Sequence, residues 1–357
     1  MGEPSGGGTS MGRRLFLSGL GAAACSDPHH IRLRGAGATM PSRQYMSWFA
    51  AFAAAVPRVS VDYAAVGSGA GIRQLRSGAI DFGASDVGVP LAERAGFRGD
   101  ILVVPVAMSA LSVAYNLGGA VPGLRLRRET VARIYLGEIL TWDDAGIAGD
   151  NPGVRLPRDP ITPIGRADGG GSTAIFTRAL SARSEAWRQN AGAGLAVTHP
   201  RSVNARGTDG VADLLLRIPG SMGYVEVARA AGGPLAVASL DDDEGRFLLP
   251  TIETVGAAAD DLAAGDDWSA APAVGYPLAS ATFLIVPEAF ADVAKGSAMA
   301  RMLHWVLTQG QLSLAGEPAR GTALLGSLAP LPPSALSRSR ALIRRLHSGN
   351  VALLSID

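Results

Sequence analysis

Ile-Thr-Pro-Ile-Gly-Arg-Ala-Asp-Gly-Gly-Gly-Ser-Thr-Ala-Ile-Phe-Thr, residues 161–177, is the stretch around which the chain is organised. Its apolar start predicts a strand, its three glycines a tight turn, and Ser172 with Thr173 the first turn of a helix. Unpaired N–H groups and the positive end of the helix dipole meet at such a start. Arg166 adds a planar fork of donors suited to a tetrahedral oxyanion, and Asp168 can hold that fork in place. The stretch therefore predicts an anion site.

Two other glycine turns and one turn of small residues precede this one. Residues 35–39 end in Thr39 and lead to a helical pattern, and residues 67–71 place Ser68 where an N-cap or an anion-contacting hydroxyl would lie. A short strand over residues 80–85 ends at Asp86, which in isolation is typical of a cap for the next helix. Each turn alone is also compatible with a plain tight turn. Together they favour several helix starts that face one anion.

Composition narrows the class of protein. A length of 357 residues suits two domains better than one, and 47% hydrophobic with 6% aromatic residues is typical of an α/β protein. The formal net charge of +1 disfavours a nucleic-acid binder, which would carry a basic face. The carboxylates of residues 238–270 are mostly consecutive, so we expect a solvated acidic surface there and no metal site.

The N-terminus predicts export. Arg13 and Arg14 resemble a twin-arginine signal, and they are followed by a short apolar stretch and by Cys25, the only cysteine. An Ala-Ala-Ala-Cys sequence resembles a lipoprotein cleavage box, so lipidation of Cys25 is predicted; a simple export signal with an incidental cysteine is the alternative. Either interpretation places the mature chain in the periplasm or at the cell surface.

Two long apolar runs predict the centre of the sheet. Residues 101–117 are too continuously apolar for a one-sided strand, and they predict two buried strands of a mostly parallel sheet, the second crossing into a new domain. Residues 276–287 predict a further core strand that crosses back.

Seven segments, in this order, resemble the phosphate-binding protein of bacterial phosphate ABC importers. They are residues 35–39, 66–72, 81–86, 134–143, 166–169, 219–226 and 329–332, within a likeness that spans residues 31–347. The resemblance implies a type II periplasmic-binding-protein fold of class α/β, in which two lobes joined by two crossovers close on a ligand cleft. The implied division is residues 1–25 as export or lipoprotein leader, 26–111 as the first part of lobe 1, 112–276 as lobe 2, and 277–357 as the rest of lobe 1.

The resemblance also implies the ligand and its contacts. Inorganic phosphate would be bound by Ala38, Thr39, Met40, Ser68, Asp86, Arg166, Gly170, Gly171 and Ser172, with Asp168 supporting Arg166. This chain departs from the family's pattern at Gly170, where a serine is usual, so one hydroxyl donor is missing. Ser172 replaces a threonine, which keeps the hydroxyl, and Met40 replaces a phenylalanine. Phosphate binding is therefore expected to be weaker than usual, or the ligand to differ.

The implied role is that of a monomeric carrier that docks on a membrane ABC permease, with no cofactor, metal or catalytic residue. A sensor or scavenger of another oxyanion on the same fold is an alternative. A phosphatase-like enzyme that uses Ser68 or Ser172 as nucleophile is disfavoured, because no histidine accompanies the glycine turns. No Gly-Lys-Ser/Thr follows any glycine loop, which excludes a P-loop nucleotide enzyme. We further expect Asp86 to accept the proton of hydrogen phosphate and to reject sulfate, which has none.

Overall fold

The structure is a computed structural model. It describes Gly2 and residues 30–118, 121, 123–230, 234–264, 268, 270–315 and 328–354. Residues 1–30 and 31–357 are separate units, and everything below concerns the second. The predicted leader and Cys25 lie outside the described residues.

Strands and helices alternate along most of the chain. The strands are β1 (Ile31–Gly37), β2 (Val59–Ala65), β3 (Phe82–Ser85), β4 (Ile101–Tyr115), β5 (Arg125–Leu126), β6 (Thr162–Arg166), β7 (Val203–Ala205), β8 (Ser221–Glu226), β9 (Ala236–Val237), β10 (Ser239–Asp241), β11 (Phe247–Leu248), β12 (Ala279–Pro287), β13 (His347–Ser348) and β14 (Val351–Ala352). The helices are α1 (Ser42–Ala55), α2 (Ser68–Ser77), α3 (Leu91–Arg94), α4 (Arg128–Leu136), α5 (Ala145–Asp150), α6 (Gly171–Arg183), α7 (Glu185–Asn190), α8 (Gly207–Arg217), α9 (Val227–Ala230), α10 (Ile252–Ala264), α11 (Val293–Trp305), α12 (Gln311–Ala315) and α13 (Pro333–Ile343), with a π-helical turn (Val306–Gly310) between α11 and α12.

One curled sheet runs through both lobes. Within the described residues its strand order is β2-β1-β3-β12-β4-β8-β6-β7, with β9 beside β4. Strands β1, β2 and β3 are parallel to one another, as are β6, β7 and β8. Strand β4 pairs with β12 through residues 101–110 and with β8 through residues 111–115, so a single strand joins the two halves. The α/β, two-lobed periplasmic-binding-protein fold predicted from the sequence is confirmed.

The prediction for residues 101–117 was wrong in two respects. They form one strand instead of two, and that strand is antiparallel to both neighbours. Pro105 does not break it, because the pairing with β12 skips a residue: Phe283 lies opposite Pro105 and Thr282 opposite Ala107. A bulge is one of the few places where a strand tolerates a residue without an N–H. The predicted division of the chain into leader and lobes stays a prediction.

The acidic region is less solvated than predicted. Asp241 and Asp242 are only 3% and 2% exposed, because β10 carries them into a small sheet with β5 and β11. The Asp241 carboxylate accepts a 2.6 Å hydrogen bond from the N–H of Arg128, whose side chain is itself buried, and Asp242 accepts 2.8 Å bonds from Arg246. The Asp241 carboxylate offsets the buried positive charge of Arg128, whereas Arg246, the partner of Asp242, is largely exposed. Asp266 and Asp267 lie outside the described residues.

An aromatic cluster supports the second half of the sheet. Phe176 of α6 stacks on Tyr224 of β8 with ring centres 4.2 Å apart, and Tyr135 lies edge-on to Phe176 at 5.0 Å. His199 and Trp187 complete the cluster. Because Phe176 is one turn past the start of α6, this packing fixes where that helix begins. No helix in the described part of the chain combines the length and the apolar character needed to cross a membrane.

Candidate functional site

The start of α6 meets the start of α2 and the end of β3 across the two lobes. A methyl group added at Gly171 would lie 2.6 Å from the Cβ of Asp86 and 2.8 Å from the Oγ of Ser68. The backbone of Gly171 therefore lies directly against groups of the other lobe, and only glycine fits. Gly67, which precedes α2, has φ +93°, a left-handed conformation that also favours glycine. Ser68 is the first residue of α2 and not its N-cap, which is Gly67.

Arg166 is the positive group of the site. Its Nε and Nη2 donate to the two oxygens of Asp168 at 3.1 and 2.5 Å, and its Nη1 donates to the Ser172 hydroxyl at 3.0 Å. The residue is only 6% exposed, so its charge acts in a poorly screened environment. Burial alone would raise the pKa of Asp168, but hydrogen bonds from Arg166 and from the N–H of Gly207 hold that pKa below its ordinary value. The guanidinium is thus fixed in orientation.

Asp86 is the buried acid of the site. It is 2% exposed, and its Oδ1 accepts a 3.2 Å hydrogen bond from the Thr282 hydroxyl. Its N–H donates to the Oγ of Ser68 at 3.3 Å, and its carbonyl accepts from Ser280 at 2.9 Å. Burial raises the pKa of Asp86 from 3.8 to about 7, against the opposing effects of the Thr282 bond and the Arg166 charge. The first turn of α3 begins at Leu91, so Asp86 does not cap the next helix.

The turn after β1 contributes a hydroxyl and holds its backbone by local bonds. The carbonyl of Thr39 accepts from the Ser42 hydroxyl at 2.8 Å, and that of Ala38 accepts from the Tyr63 hydroxyl at 2.7 Å. The N–H of Ala38 already donates to the carbonyl of Ala84 at 2.9 Å. Ala38 is one of the phosphate contacts implied by the resemblance, and in this structure its N–H is bonded to the neighbouring strand. Met40 is buried, 3% exposed, beside this turn.

Gly170 has a physical reason to be glycine in this chain. A methyl group there would lie 2.3 Å from Cζ and 2.4 Å from Nη1 of Arg166. The guanidinium therefore fills the space that a serine side chain would need. The N–H of Gly170 donates to the carbonyl of Leu195 at 2.9 Å, so the donors that α6 offers begin at Gly171.

Several residues near the site were not predicted. The Tyr224 hydroxyl accepts from the N–H of Arg166 at 3.2 Å and forms bonds of 3.0 Å with the Thr173 hydroxyl and 3.3 Å with Nε2 of His199. Burial lowers the pKa of His199 to about 4, so this imidazole is neutral at physiological pH. Thr282 and Thr208 also reach the site. Tyr224 lies in the recognised segment 219–226, but nothing local in the sequence shows where its hydroxyl goes.

The site is rich in donors and has one carboxyl available to a ligand. Asp168 is occupied by Arg166, whereas Asp86 faces the start of α6. The Ser68 hydroxyl accepts from the N–H of Asp86 and also hydrogen-bonds the Asp86 carboxyl, whereas the Ser172 hydroxyl accepts from Arg166. Among the described residues, no three His, Cys, Asp or Glu side chains are placed to hold a metal ion. The arrangement suits reversible binding of an anion that carries a proton.

Fold and site together define the class of two-lobed periplasmic-binding proteins. The family model described as a PBP superfamily domain matches residues 7–301. The chain is 33% identical over 293 residues to the phosphate-binding protein PstS of Xylella fastidiosa, which covers 79% of each chain. It is also 33% identical over 312 residues to the PstS of Methanocaldococcus jannaschii, which covers 80% of each. The chain belongs to the PstS family of phosphate-binding proteins.

A solved structure agrees with this fold. A high-affinity periplasmic phosphate-binding protein, solved with phosphate bound, superposes with a TM-score of 0.66 at 20% sequence identity, over 87% of this chain and 93% of the other.

Proposed function

We propose that this chain captures inorganic phosphate between its lobes outside the cytoplasm and delivers it to a membrane ABC permease. One observation carries the proposal: Arg166 is buried and held by Asp168 and Ser172, and the helix start beside it lies against Asp86 of the opposite lobe. An oxyanion at this point would meet donors from one side and a proton acceptor from the other.

The binding groups come from four turns. Arg166 supplies charge-assisted hydrogen bonds, and the starts of α2 and α6 supply amides at the positive ends of helices of 10 and 13 residues. Hydroxyls come from the turn after β1 and from both helix starts. The proposed ligand contacts are Thr39, Met40, Ser68, Asp86, Arg166, Gly171 and Ser172, with Ala38 and Gly170 as packing neighbours and Asp168 as the support of Arg166.

Asp86 supplies the selectivity. Hydrogen phosphate carries a proton that a carboxylate can accept, whereas sulfate would leave two acceptors facing each other in a dry cleft. The side chain is buried and has Thr282 as its hydrogen-bond donor, so water does not relieve such a conflict cheaply.

Calorimetric titration of phosphate into the chain from Ser26 onward, repeated in excess sulfate, tests this function. One-to-one binding that sulfate does not displace is the expected result. Absence of phosphate binding, or its loss to sulfate, would show that the ligand has been misassigned.

Restoring the family's hydroxyl at position 170 is expected to weaken binding. Gly170→Ser places a Cβ 2.3 Å from Cζ of Arg166, which must then move away from Ser172. We expect about a tenfold loss of phosphate affinity, the usual worth of one charge-assisted hydrogen bond. Gly170→Ala is the matched control, because it adds the Cβ without the hydroxyl. Tighter binding by the serine variant than by the wild type would contradict this account.

The same crowding bears on the alternative of a sensor or scavenger for another oxyanion. That alternative rested on the hydroxyl missing at Gly170, and the Arg166 guanidinium occupies the space in question.

We also propose that the chain is a monomeric carrier without enzymatic activity. In support, the Ser172 hydroxyl is bonded to Arg166, which is not a base, and the nearby imidazole of His199 is bonded to Tyr224 and not to either serine. Steady hydrolysis of a phosphate monoester by the purified chain would overturn this.

Lipid attachment at Cys25 is a further part of the proposed function. Cys25→Ser is expected to move the protein from the membrane fraction to the soluble extracytoplasmic fraction, because Cys25 is the only cysteine and therefore the only thiol that could be acylated. Fractionation followed by immunoblotting of both forms measures this. An unchanged distribution would mean that Cys25 carries no anchor.

A further inference from the structure

One hydrogen bond joins a proposed ligand contact of one lobe to a residue of the other lobe that is not itself a proposed contact. The Thr39 hydroxyl, in the turn between β1 and α1, lies 3.1 Å from the hydroxyl of Thr208, the second residue of α8. Thr208 is 4% exposed, so no bulk water competes for this bond. Helix α8 packs on β6 and β8, which belong to the half of the sheet opposite to β1.

The start of α8 is also tied to the arginine of the site. The N–H of Gly207 donates to Oδ1 of Asp168 at 3.0 Å, and Asp168 holds Arg166 through two hydrogen bonds. On its outer side the same turn is anchored by an ion pair between Asp209 and Arg229. Two adjacent residues, Gly207 and Thr208, therefore contact the partners of the ligand in both lobes.

We propose that Thr208 is a positioning residue that latches the closed lobes and orients the Thr39 hydroxyl toward the bound anion. The inference rests on the proposed function. A hydroxyl has one proton and two lone pairs, so Thr39 can accept from Thr208 while it donates to a phosphate oxygen. In that arrangement Thr208 fixes the direction of the Thr39 proton.

The latch is expected to affect the rate of phosphate release more than the rate of phosphate association. The bond between Thr39 and Thr208 exists only when the lobes are closed, because the two residues lie on different halves of the sheet. Its loss therefore favours opening and leaves the diffusional encounter with phosphate unchanged, as is usual for changes within one binding site.

The test compares Thr208→Val with Thr208→Ser. Valine keeps the shape and removes the hydroxyl, whereas serine keeps the hydroxyl. Release of radiolabelled phosphate is followed after dilution into excess unlabelled phosphate, and association is measured separately. We expect Thr208→Val to release phosphate about threefold to tenfold faster, the effect of one neutral hydrogen bond, with an association rate within about twofold of the wild type. Thr208→Ser should release phosphate at nearly the wild-type rate.

Three further variants separate positioning from a general loss of stability. Thr251→Val is the matched control, since this hydroxyl accepts from the N–H of Thr254 at the start of a different helix, α10. It should leave the release rate unchanged. In a Thr39→Val background, Thr208→Val should add little, because it acts through Thr39. Thr208→Ala provides a second hydroxyl-free variant if the valine form folds poorly.

The outcomes distinguish the latch from the function on which it rests. Retention of phosphate by the wild type together with unchanged release from Thr208→Val, or equal acceleration in Thr208→Ser, would overturn the latch alone. Failure of the wild type to bind phosphate at all would overturn both the proposed function and the latch.

Discussion

Arg166→Ala is expected to lower phosphate affinity by about a hundredfold or more. Truncating one member of a buried charged pair costs roughly 2–5 kcal/mol, most of it from the charges left without a partner. Here the substitution removes the donors to phosphate, and it also leaves the half-buried Asp168 facing a site meant for an anion. A carboxylate and a phosphate dianion would then repel each other where Arg166 had separated them.

Calorimetry with phosphate measures this effect, and two controls sharpen it. Arg166→Lys keeps the charge but cannot bond both oxygens of Asp168 in a plane, so intermediate affinity is expected. Arg188→Ala removes an exposed arginine that pairs with Glu185, and it should leave affinity unchanged. Affinity of Arg166→Ala within tenfold of the wild type would show that the anion binds elsewhere.

Asp86→Asn is expected to admit sulfate and to stabilise the ligand-free protein at alkaline pH. The first effect follows because an amide can donate a hydrogen bond to a fully ionised oxyanion, whereas a carboxylate cannot. Competition between phosphate and sulfate at pH 8, above the pKa of about 7 of Asp86, measures it: sulfate should displace phosphate from Asp86→Asn and not from the wild type. Equal exclusion of sulfate by the wild type and by Asp86→Asn would contradict the role assigned to Asp86.

The second effect follows from the pKa of Asp86, which is raised to about 7 in the folded protein from 3.8. A raised pKa means that the folded protein holds this proton more tightly than the unfolded chain. The associated stability is complete below about pH 4 and is lost as the pH rises to about 7. At pH 8 the ionised carboxyl costs up to about 4 kcal/mol, at roughly 1.4 kcal/mol per pH unit, and asparagine removes that cost.

Urea denaturation of phosphate-free protein at pH 4.5 and pH 8 measures the difference between variant and wild type. The increase in the free energy of unfolding that Asp86→Asn produces should be large at pH 8 and small at pH 4.5. The pKa of Glu226 is also raised to about 7, chiefly by burial and in part by the charge of Asp86. Asp86→Asn removes that charge, so the change at Glu226 adds to the gain at pH 8 and has the same sign. Asp62→Asn, at an exposed aspartate paired with Arg32, is the control and should show no such gain. A pH-independent difference would contradict the raised pKa.

Local sequence patterns predicted the helix starts of the site well. Glycine turns followed by hydroxyls precede α2 and α6 in the structure, and Asp168 lies beside Arg166, because these features depend on residues only a few positions apart. The curled arrangement of strands came from the resemblance to a family and not from periodicity. Strand β4 illustrates the limit, since an apolar run with a proline does not reveal a bulge that depends on its pairing with β12.

The supporting groups of the site could not be predicted, for a physical reason. Tyr224 is 58 positions from Arg166, Thr282 is 196 from Asp86, and Thr208 is 169 from Thr39. Only the completed sheet brings these pairs together. The buried position of Asp241 similarly depends on Arg128, which is 113 residues away. The proposed ligand contacts could be found in the sequence because they lie in glycine turns that have a recognisable local pattern. The side chains that hold those contacts in place lie in no such pattern.

Strand β4 has a consequence for modular engineering of this protein. Its first ten residues complete one half of the sheet with β12, and its last five complete the other half with β8. A chimera that exchanged one lobe for that of a relative would cut inside this shared strand or separate it from its partner β12, which lies much later in the chain. The two lobes of this protein therefore cannot be exchanged independently. A chimera must keep strands β4, β8 and β12 together, so that the sheet beneath the cleft stays continuous.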